Sequence, residues 1–285
     1  MRLVSYSGPE GPRTGLVRDG AVLDLHKNEP GLPTDMLSLL RMGDQARPLL
    51  EKVFQRGTPL ETPVRLTAPV PNPKKVICVG LNYADHARES GATPPSEPVI
   101  FNKFPTAIIG PDDVIRLPKE SENVDYEAEL VVVIGRAGRR IPESEAMNYV
   151  AGYMCGNDVS ARDWQMKKPG GQWLMGKSFD TFAPTGPHLV TRDEIANPHE
   201  LAVRLILNGQ VMQQSNTNQY IFSIPRLIAY VSQVCTLEAG DLLFTGTPGG
   251  VGFARKPPVF LKDGDIVEVE IQSVGKLRNT VVADR

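Results

Sequence analysis

The chain has 285 residues and a formal net charge of −2. This near-neutral balance gives no electrostatic support for binding nucleic acid or a membrane surface, and we expect neither partner. No apolar run approaches the roughly 18 residues of a membrane span, and the alternating N-terminus lacks the apolar core of a signal peptide. The length accommodates one large domain, or one large and one small.

The first 70 residues predict a small N-terminal α+β domain in which we identify no chemistry. The pair Asp19-Gly20 between two short apolar runs predicts a β-hairpin. Apolar residues at helical spacing over 34–55 predict helices, with Thr34 as N-cap and Pro48 as the break between them. A proline-rich connector follows, and the domain boundary is placed there, between residues 70 and 71.

Cysteine usage bears on the compartment. Cys78, Cys155 and Cys235 are odd in number, widely spaced and set in apolar runs. Such cysteines are typical of buried reduced thiols rather than of a disulfide framework. We therefore predict a cytoplasmic protein, and we give a catalytic cysteine little weight because no histidine partner is suggested.

A short helix with a His–Glu pair follows the first strand of the larger domain. His86 and Glu89 are three residues apart and share one helical face, and Gly91 is the expected C-cap. A carboxylate beside an imidazole raises its basicity, which is typical of a general base. A surface pair without a catalytic role is the alternative, and spacing alone favours it. Farther on, Lys103 ends a predicted strand, where it either contacts a substrate carboxylate or is solvated.

The stretch from Val124 to Gly135 predicts a buried strand that carries two acidic residues. Side chains alternate along a strand, so Glu127 and Glu129 share one face. Two carboxylates roughly 6–7 Å apart beside an apolar run are costly to bury without a counter-charge, which a divalent cation supplies. A solvated strand face is the alternative.

A second strand-like run ends at Asp158, which can supply a third oxygen ligand. Ligation by oxygen alone favours Mg²⁺, Mn²⁺ or Ca²⁺ over zinc or copper. Residues 171–178 match the phosphate-loop pattern G-x-x-x-x-G-K-S, but no strand precedes them and no helix is predicted after them. We therefore reject nucleotide binding there.

Four ordered motifs resemble the fumarylacetoacetate hydrolase superfamily. They are Glu-x-Glu at 127–129, Asn-Asp-Val-Ser-Ala-Arg-Asp-x-Gln at 157–165, Gly-Lys-Ser-Phe-Asp-Thr-Phe at 176–182 and Thr-Gly-Thr-Pro-x-Gly-Val-Gly at 245–252. The resemblance runs from about Pro71 to the C-terminus. It is closest to the branch that contains mitochondrial proteins with this domain and bacterial hydrolases of 2,4-diketo-3-deoxy sugar acids.

Periodicity predicts a strand-rich chain, α+β and mainly β. The resemblance implies that residues 71–285 form the mixed β-sandwich roll of the family's catalytic domain, beside the small domain at 1–70. It also implies a homodimer.

Ten residues are site candidates, and the resemblance supplies the roles of His86, Glu89 and Lys177. The metal site, for Mg²⁺ or Mn²⁺ with Ca²⁺ as a substitute in crystals, is Glu127, Glu129 and Asp158. The catalytic residues are His86 and Glu89, a water-activating dyad on a mobile lid, and Lys177, which points at the bound substrate. Substrate-binding candidates are Arg162, Gln165, Thr247 and Lys103.

The function implied is a metal-dependent enzyme acting on a 2-oxo acid. Our main interpretation is hydrolysis of a carbon–carbon bond in a 2,4-dioxo acid of the acylpyruvate type, with the pyruvate enolate stabilised at the metal. The alternative is an oxaloacetate decarboxylase or keto–enol tautomerase. Leu81 stands where some relatives have an arginine, which weakens the case for a compact diacid. A non-catalytic binding protein on the same scaffold is the third hypothesis.

Overall fold

The structure is a computed structural model that describes residues 1–9 and 11–284. The strands are β1 (Arg2–Gly8), β2 (Gly11–Arg18), β3 (Ala21–Asp24), β4 (Leu66–Thr67), β5 (Val76–Gly80), β6 (Val99–Lys103), β7 (Ile108–Ile109), β8 (Val114–Leu117), β9 (Val124–Asp125), β10 (Ala128–Ile134), β11 (Val150–Asn157), β12 (Ser160–Ala161), β13 (Ala183–Thr191), β14 (Ala202–Leu207), β15 (Gln210–Asn216), β16 (Leu242–Phe244), β17 (Ile266–Ile271) and β18 (Gly275–Ala283). The α-helices are α1 (Leu25–Asn28), α2 (Met36–Met42), α3 (Ala46–Arg56), α4 (Ala84–Ser90), α5 (Trp173–Lys177) and α6 (Ile224–Val234). In the part of the chain described, none of these helices is long and apolar enough to cross a membrane.

Two mixed sheets carry the fold. The larger sheet has the strand order β3-β2-β1-β13-β11-β10-β16-β5-β6, with β4 paired to β1 and β7 to β13. The smaller sheet has the order β15-β14-β17-β18-β8, and its strands β14 and β17 pack on β10 and β11. The predicted mainly β, α+β sandwich is confirmed.

Strand β10 lies in the interior of the larger sheet. Its apolar residues Val131, Val132 and Val133 are completely buried, between β11 on one side and β16 on the other. A β-branched run suits a strand that is covered on both faces. Because its core residues fix its register, β10 is a rigid support for whatever its N-terminal end carries.

The acidic stretch is not one strand, as predicted, but two strands separated at Tyr126 and Glu127. Successive backbone N–H groups there donate to side chains rather than to a neighbouring strand. Glu127 N donates to Asn157 Oδ1 at 2.9 Å and Ala128 N donates to Gln213 Oε1 at 2.8 Å. At Glu127 and Ala128, side-chain oxygens thus replace the backbone acceptors that a neighbouring strand would provide.

The N-terminal elements join the larger sheet through β1, which pairs with β13. The predicted hairpin at Asp19-Gly20 is confirmed, because β2 and β3 pair on either side of it. The domain boundary at residue 70 stays a prediction.

Two predicted helix signals in this region are wrong in detail. The N-cap of α2 is Asp35, whose carboxylate accepts from Ser38 N, rather than Thr34. The break between α2 and α3 falls at Gly43, which has a φ of 54°, rather than at Pro48. Pro48 lies in the first turn of α3, where an N–H group has no helical partner to lose.

A buried ionic cluster stabilises the N-terminal elements. Asp24 is completely buried and accepts hydrogen bonds from Tyr6 Oη, from Arg13 Nε and Nη2 at 2.8 Å each, and from Lys27 N at 2.7 Å. Burial raises the pKa of Asp24, but the bonds from Arg13, Tyr6 and Lys27 outweigh it, so the net shift of its pKa is downward. The same carboxylate is the N-cap of α1.

We predict that Asp24→Ala lowers the free energy of unfolding by about 3 kcal/mol, because it leaves the partly buried Arg13 charge and the buried Tyr6 hydroxyl without their shared partner. The midpoint of urea unfolding measures the change. Arg47→Ala is the control, since Arg47 pairs with Glu51 on an exposed helical face and should cost less than about 1 kcal/mol. A midpoint for Asp24→Ala equal to that of the control would contradict the prediction.

Candidate active site

Three buried carboxylates converge at the N-terminal end of β10. Glu127, Glu129 and Asp158 are 6%, 1% and 0% exposed, and one oxygen from each lies within 4.8 Å of the others. The antiparallel pairing of β10 with β11 places Ala128 opposite Asn157. Asp158 therefore follows directly beside Glu127, to whose carbonyl oxygen its N–H donates at 2.9 Å.

Two lysines and an arginine contact this acidic cluster. Lys177 Nζ lies 2.7 Å from Glu127 Oε2 and 2.9 Å from Asp158 Oδ2. Lys103 Nζ lies 2.5 Å from Asp158 Oδ1, and Arg162 Nη2 lies 2.7 Å from Glu127 Oε1. The solvated alternative for Lys103 is wrong, because its side chain is completely buried.

Glu129 differs from its two neighbours. No lysine or arginine of the described ranges forms a salt bridge with it, and its Oε2 accepts from Gly246 N at 2.7 Å. Burial raises the pKa of Glu129 well above its usual range, and the charges of Asp158 and Glu127 raise it further. Burial also raises the pKa of Glu127, but Lys177 and Arg162 outweigh it and hold the pKa at about 2.

These residues fit a hard divalent cation. The donor atoms are carboxylate oxygens, which Mg²⁺ and Mn²⁺ prefer. Of the three carboxylates, Glu129 alone forms no salt bridge with a lysine or arginine of the described ranges, and it is nearly inaccessible to solvent. A buried carboxyl in that state either keeps its proton or requires a counter-ion, which a divalent cation supplies.

The His86–Glu89 pair lies on α4. His86 Nδ1 is 3.6 Å from Glu89 Oε2, which is too long for a hydrogen bond. Glu89 Oε2 instead accepts from Gly250 N at 2.8 Å, and Asp85 accepts from Ser215 Oγ. Glu89, one of the predicted catalytic residues, thus joins helix α4 to the glycine-rich loop at 245–252.

The three polar candidates for substrate contact all have protein partners. Arg162 donates from Nε to Asp125 at 2.8 Å and from Nη1 to Gln165 at 2.9 Å. Thr247 Oγ1 donates to Ala128 O at 3.0 Å and accepts from Gln213 Nε2 at 2.8 Å. Their roles in substrate binding stay predictions.

Two residues that support the site were missed. Asp125 is completely buried and accepts from Gly252 N, Phe253 N and Arg162 Nε, so it joins the glycine-rich loop to the arginine. The strand alternation that selected Glu127 also signals Asp125. Gln213 comes from the smaller sheet, and no local pattern connects it with the acidic stretch.

A family model matches well over half of the chain. Residues 75–282 match the C-terminal domain of fumarylacetoacetate (FAA) hydrolase. The chain belongs to the fumarylacetoacetate hydrolase family. The family resemblance described in the sequence analysis is confirmed, and so is the prediction that the chain belongs to an enzyme superfamily.

Curated relatives match almost the whole chain. The mitochondrial oxaloacetate tautomerase of Xenopus laevis is 49% identical over 288 residues, covering 99% of this chain and 90% of the relative. A human mitochondrial oxaloacetate tautomerase is 47% identical, with 99% and 92% covered.

Solved structures agree with the fold over its full length. The fumarylacetoacetate hydrolase of Exiguobacterium antarcticum has a TM-score of 0.87 at 36% identity, covering 100% of both chains. The maleylpyruvate hydrolase of Sphingobium sp. SYK-6, in complex with manganese(II) and pyruvate, has a TM-score of 0.83 at 32% identity, with the same coverage.

The predicted cytoplasmic location is wrong, because the curated relatives just described are named as mitochondrial proteins. The cysteine argument was too coarse for this question. Free thiols, as at Cys78 and Cys155, argue against an oxidising compartment. They do not separate the cytosol from other reducing compartments.

We predict that Glu129→Gln removes stabilisation by Mn²⁺ without destabilising the metal-free protein. A carboxyl whose folded pKa is above its unfolded pKa destabilises the fold at any pH above the unfolded value, so a neutral amide relieves that cost at pH 7. Wild-type protein should gain about 2.7 kcal/mol at a Mn²⁺ concentration 100 times its Kd. Thermal unfolding with and without Mn²⁺ measures both effects.

Glu127→Gln is the matched control. It should destabilise the metal-free protein by about 3 kcal/mol, because Lys177 and Arg162 lose a buried partner. Equal stabilisation of wild type and Glu129→Gln by Mn²⁺ would place the cation elsewhere.

Proposed function

We propose that this protein catalyses keto–enol tautomerisation of oxaloacetate or a similar 2-oxo acid, with Mg²⁺ or Mn²⁺ held by Glu127, Glu129 and Asp158. The observation that carries the proposal is the buried carboxylate triad with Lys177 between two of its members. The relatives named oxaloacetate tautomerase support the alternative of the sequence analysis better than its main interpretation.

The reaction moves two protons and needs no other reactant. A proton leaves C3 of the keto acid, the C2–C3 double bond forms, and a proton joins the C2 oxygen. A bound divalent cation supplies positive charge where negative charge develops on that oxygen. Lys177 adds a second positive charge, and the contacts of its Nζ with Glu127 and Asp158 fix the position of that charge.

We assign removal of the proton from C3 to His86, which would act as the general base. The side chain is only 9% exposed, so little water competes with a substrate for its imidazole. Asp125 accepts from Arg162 Nε and from Gly252 N, and Arg162 also pairs with Glu127. These contacts hold Glu127 and the glycine-rich loop in fixed positions relative to each other.

Hydrolysis of a carbon–carbon bond in a 2,4-dioxo acid is the second candidate. The Sphingobium maleylpyruvate hydrolase with manganese and pyruvate favours it. This reaction requires an activated water in addition to the acid and base groups. Glu89 Oε2 accepts from Gly250 N and lies 3.6 Å from His86 Nδ1, so no hydrogen bond joins the two residues implied for water activation. The homodimer and the choice between the two metals stay predictions.

We predict that His86→Ala slows oxaloacetate tautomerisation by about 100-fold or more, the usual contribution of a positioned general base. The loss of enol absorbance in the ultraviolet measures the rate, with Mn²⁺ present and with EDTA as the metal-free control. His26→Ala is the matched histidine control, because His26 lies exposed on α1.

Acetylpyruvate in the same preparation separates the two candidates, with pyruvate release followed by lactate dehydrogenase. Cleavage of acetylpyruvate together with no acceleration of oxaloacetate tautomerisation would replace the first candidate by the second. An unchanged rate in His86→Ala would remove the proton transfer assigned to that residue.

A further inference from the structure

Helix α5 carries two side chains that define a direction out of the acidic cluster. Trp173 and Lys177 are four residues apart and therefore lie on the same face of the helix. Lys177 is buried at the acidic cluster, whereas Trp173 is 37% exposed. The helix thus leads from the buried cation to an accessible aromatic ring.

Phe101 fills the space between these two residues. Its ring centroid is 5.2 Å from Lys177 Nζ and 5.3 Å from the ring of Trp173, with an interplanar angle of 67°. Edge-to-face contact at this distance is a favourable aromatic arrangement. An aromatic wall therefore begins at the cation and continues outward without a polar side chain between its members.

The glycine at position 80 makes room for this wall. A Cβ atom on Gly80 would lie only 2.7 Å from Cζ3 of Trp173 and 3.1 Å from its Cη2. The indole ring consequently rests directly on the backbone of β5. Val99, 39% exposed and paired with Gly80 across β5 and β6, extends the apolar surface.

The cations near this wall are already engaged, because Lys103, Lys177 and Arg162 all pair with carboxylates of the site. The wall begins 5.2 Å from the Lys177 ammonium, so a 2-oxo acid whose oxygens bind at the acidic cluster can reach it with a substituent on C3. A flat apolar substituent would bury the most apolar area against these rings and so bind there most favourably.

We propose that Trp173 and Phe101 form a subsite for 2-oxo acids with an aromatic or other flat apolar group on C3. The proposal rests on the proposed function for its reaction, and it extends the substrate class beyond oxaloacetate. Phenylpyruvate is the simplest probe. Its enolisation breaks a C3–H bond, forms the C2–C3 double bond and adds a proton to the C2 oxygen, so it is an isomerisation without a further reactant.

The test compares two substrates in the full-length, Mn²⁺-loaded protein. Trp173→Ala should raise KM for phenylpyruvate by about tenfold, the effect of about 1.4 kcal/mol, and leave kcat/KM for oxaloacetate within about twofold. Trp173→Phe should restore most of the loss. Gly80→Ala, which displaces the indole from the other side, should act in the same direction as Trp173→Ala.

Met175→Ala is the matched control. Met175 is 43% exposed on the same helix, about 200° around the axis from Trp173, so neither substrate should be affected. Equal losses for both substrates in Trp173→Ala would assign the ring a structural role and overturn the subsite. Unchanged KM for phenylpyruvate would overturn it as well.

Calorimetric binding separates failure of the subsite from failure of the proposed reaction. If wild-type protein enolises neither substrate, the proposed function is wrong. The subsite then still requires phenylpyruvate to bind about tenfold more tightly than pyruvate, with that difference lost in Trp173→Ala. Equal affinities of wild-type protein for the two acids would overturn the subsite independently of any activity.

Discussion

The balance of buried charge at the end of β10 is the constraint on which the site depends. The described structure places four buried carboxylates against three buried cations, namely Asp125, Glu127, Glu129 and Asp158 against Lys103, Lys177 and Arg162. Six of these seven groups form ion pairs at hydrogen-bond distance. The seventh group is Glu129, whose charged form is too costly to remove from water without compensation, so it keeps a proton or lies beside a cation. The fold thus creates a demand for positive charge at one point.

The apolar core makes this arrangement possible. Strand β10 is buried along its whole length, and its pairing with β11 sets Glu127 beside Asp158 without freedom to separate. Between β9 and β10, the side chains of Asn157 and Gln213 accept from the backbone N–H groups of Glu127 and Ala128 and so fix the backbone between the two glutamates. Gln213 contributes from the smaller sheet, so both sheets position the acidic oxygens.

The local parts of this architecture could be predicted from the sequence, and the long-range parts could not. Alternation placed Glu127 and Glu129 on one face, and Asp19-Gly20 and Gly91 marked turns because their backbone requirements are local. Gln213 accepts from the N–H group of Ala128, which is 85 residues away in the chain. No periodic pattern in the sequence can predict such a contact. The predicted continuous strand failed for the same reason, because its interruption depends on acceptors from other segments. Helix α5 was missed because it is five residues long, follows Gly170-Gly171 closely and contains Gly176. Lys177 joined the predicted site only through the family motifs, which record tertiary proximity that local propensity does not.

The pairing of β1 with β13 has a consequence for how the molecule is made. Leu3 lies opposite Leu189, so β1 meets this neighbour only after 186 further residues (189 − 3) have been made, although β2 and β4 pair with it earlier. Contacts of such sequence separation form slowly, since a long loop must close before they contribute. The Arg2–Leu3 end of β1 therefore stays an unpaired sheet edge until β13 has been made.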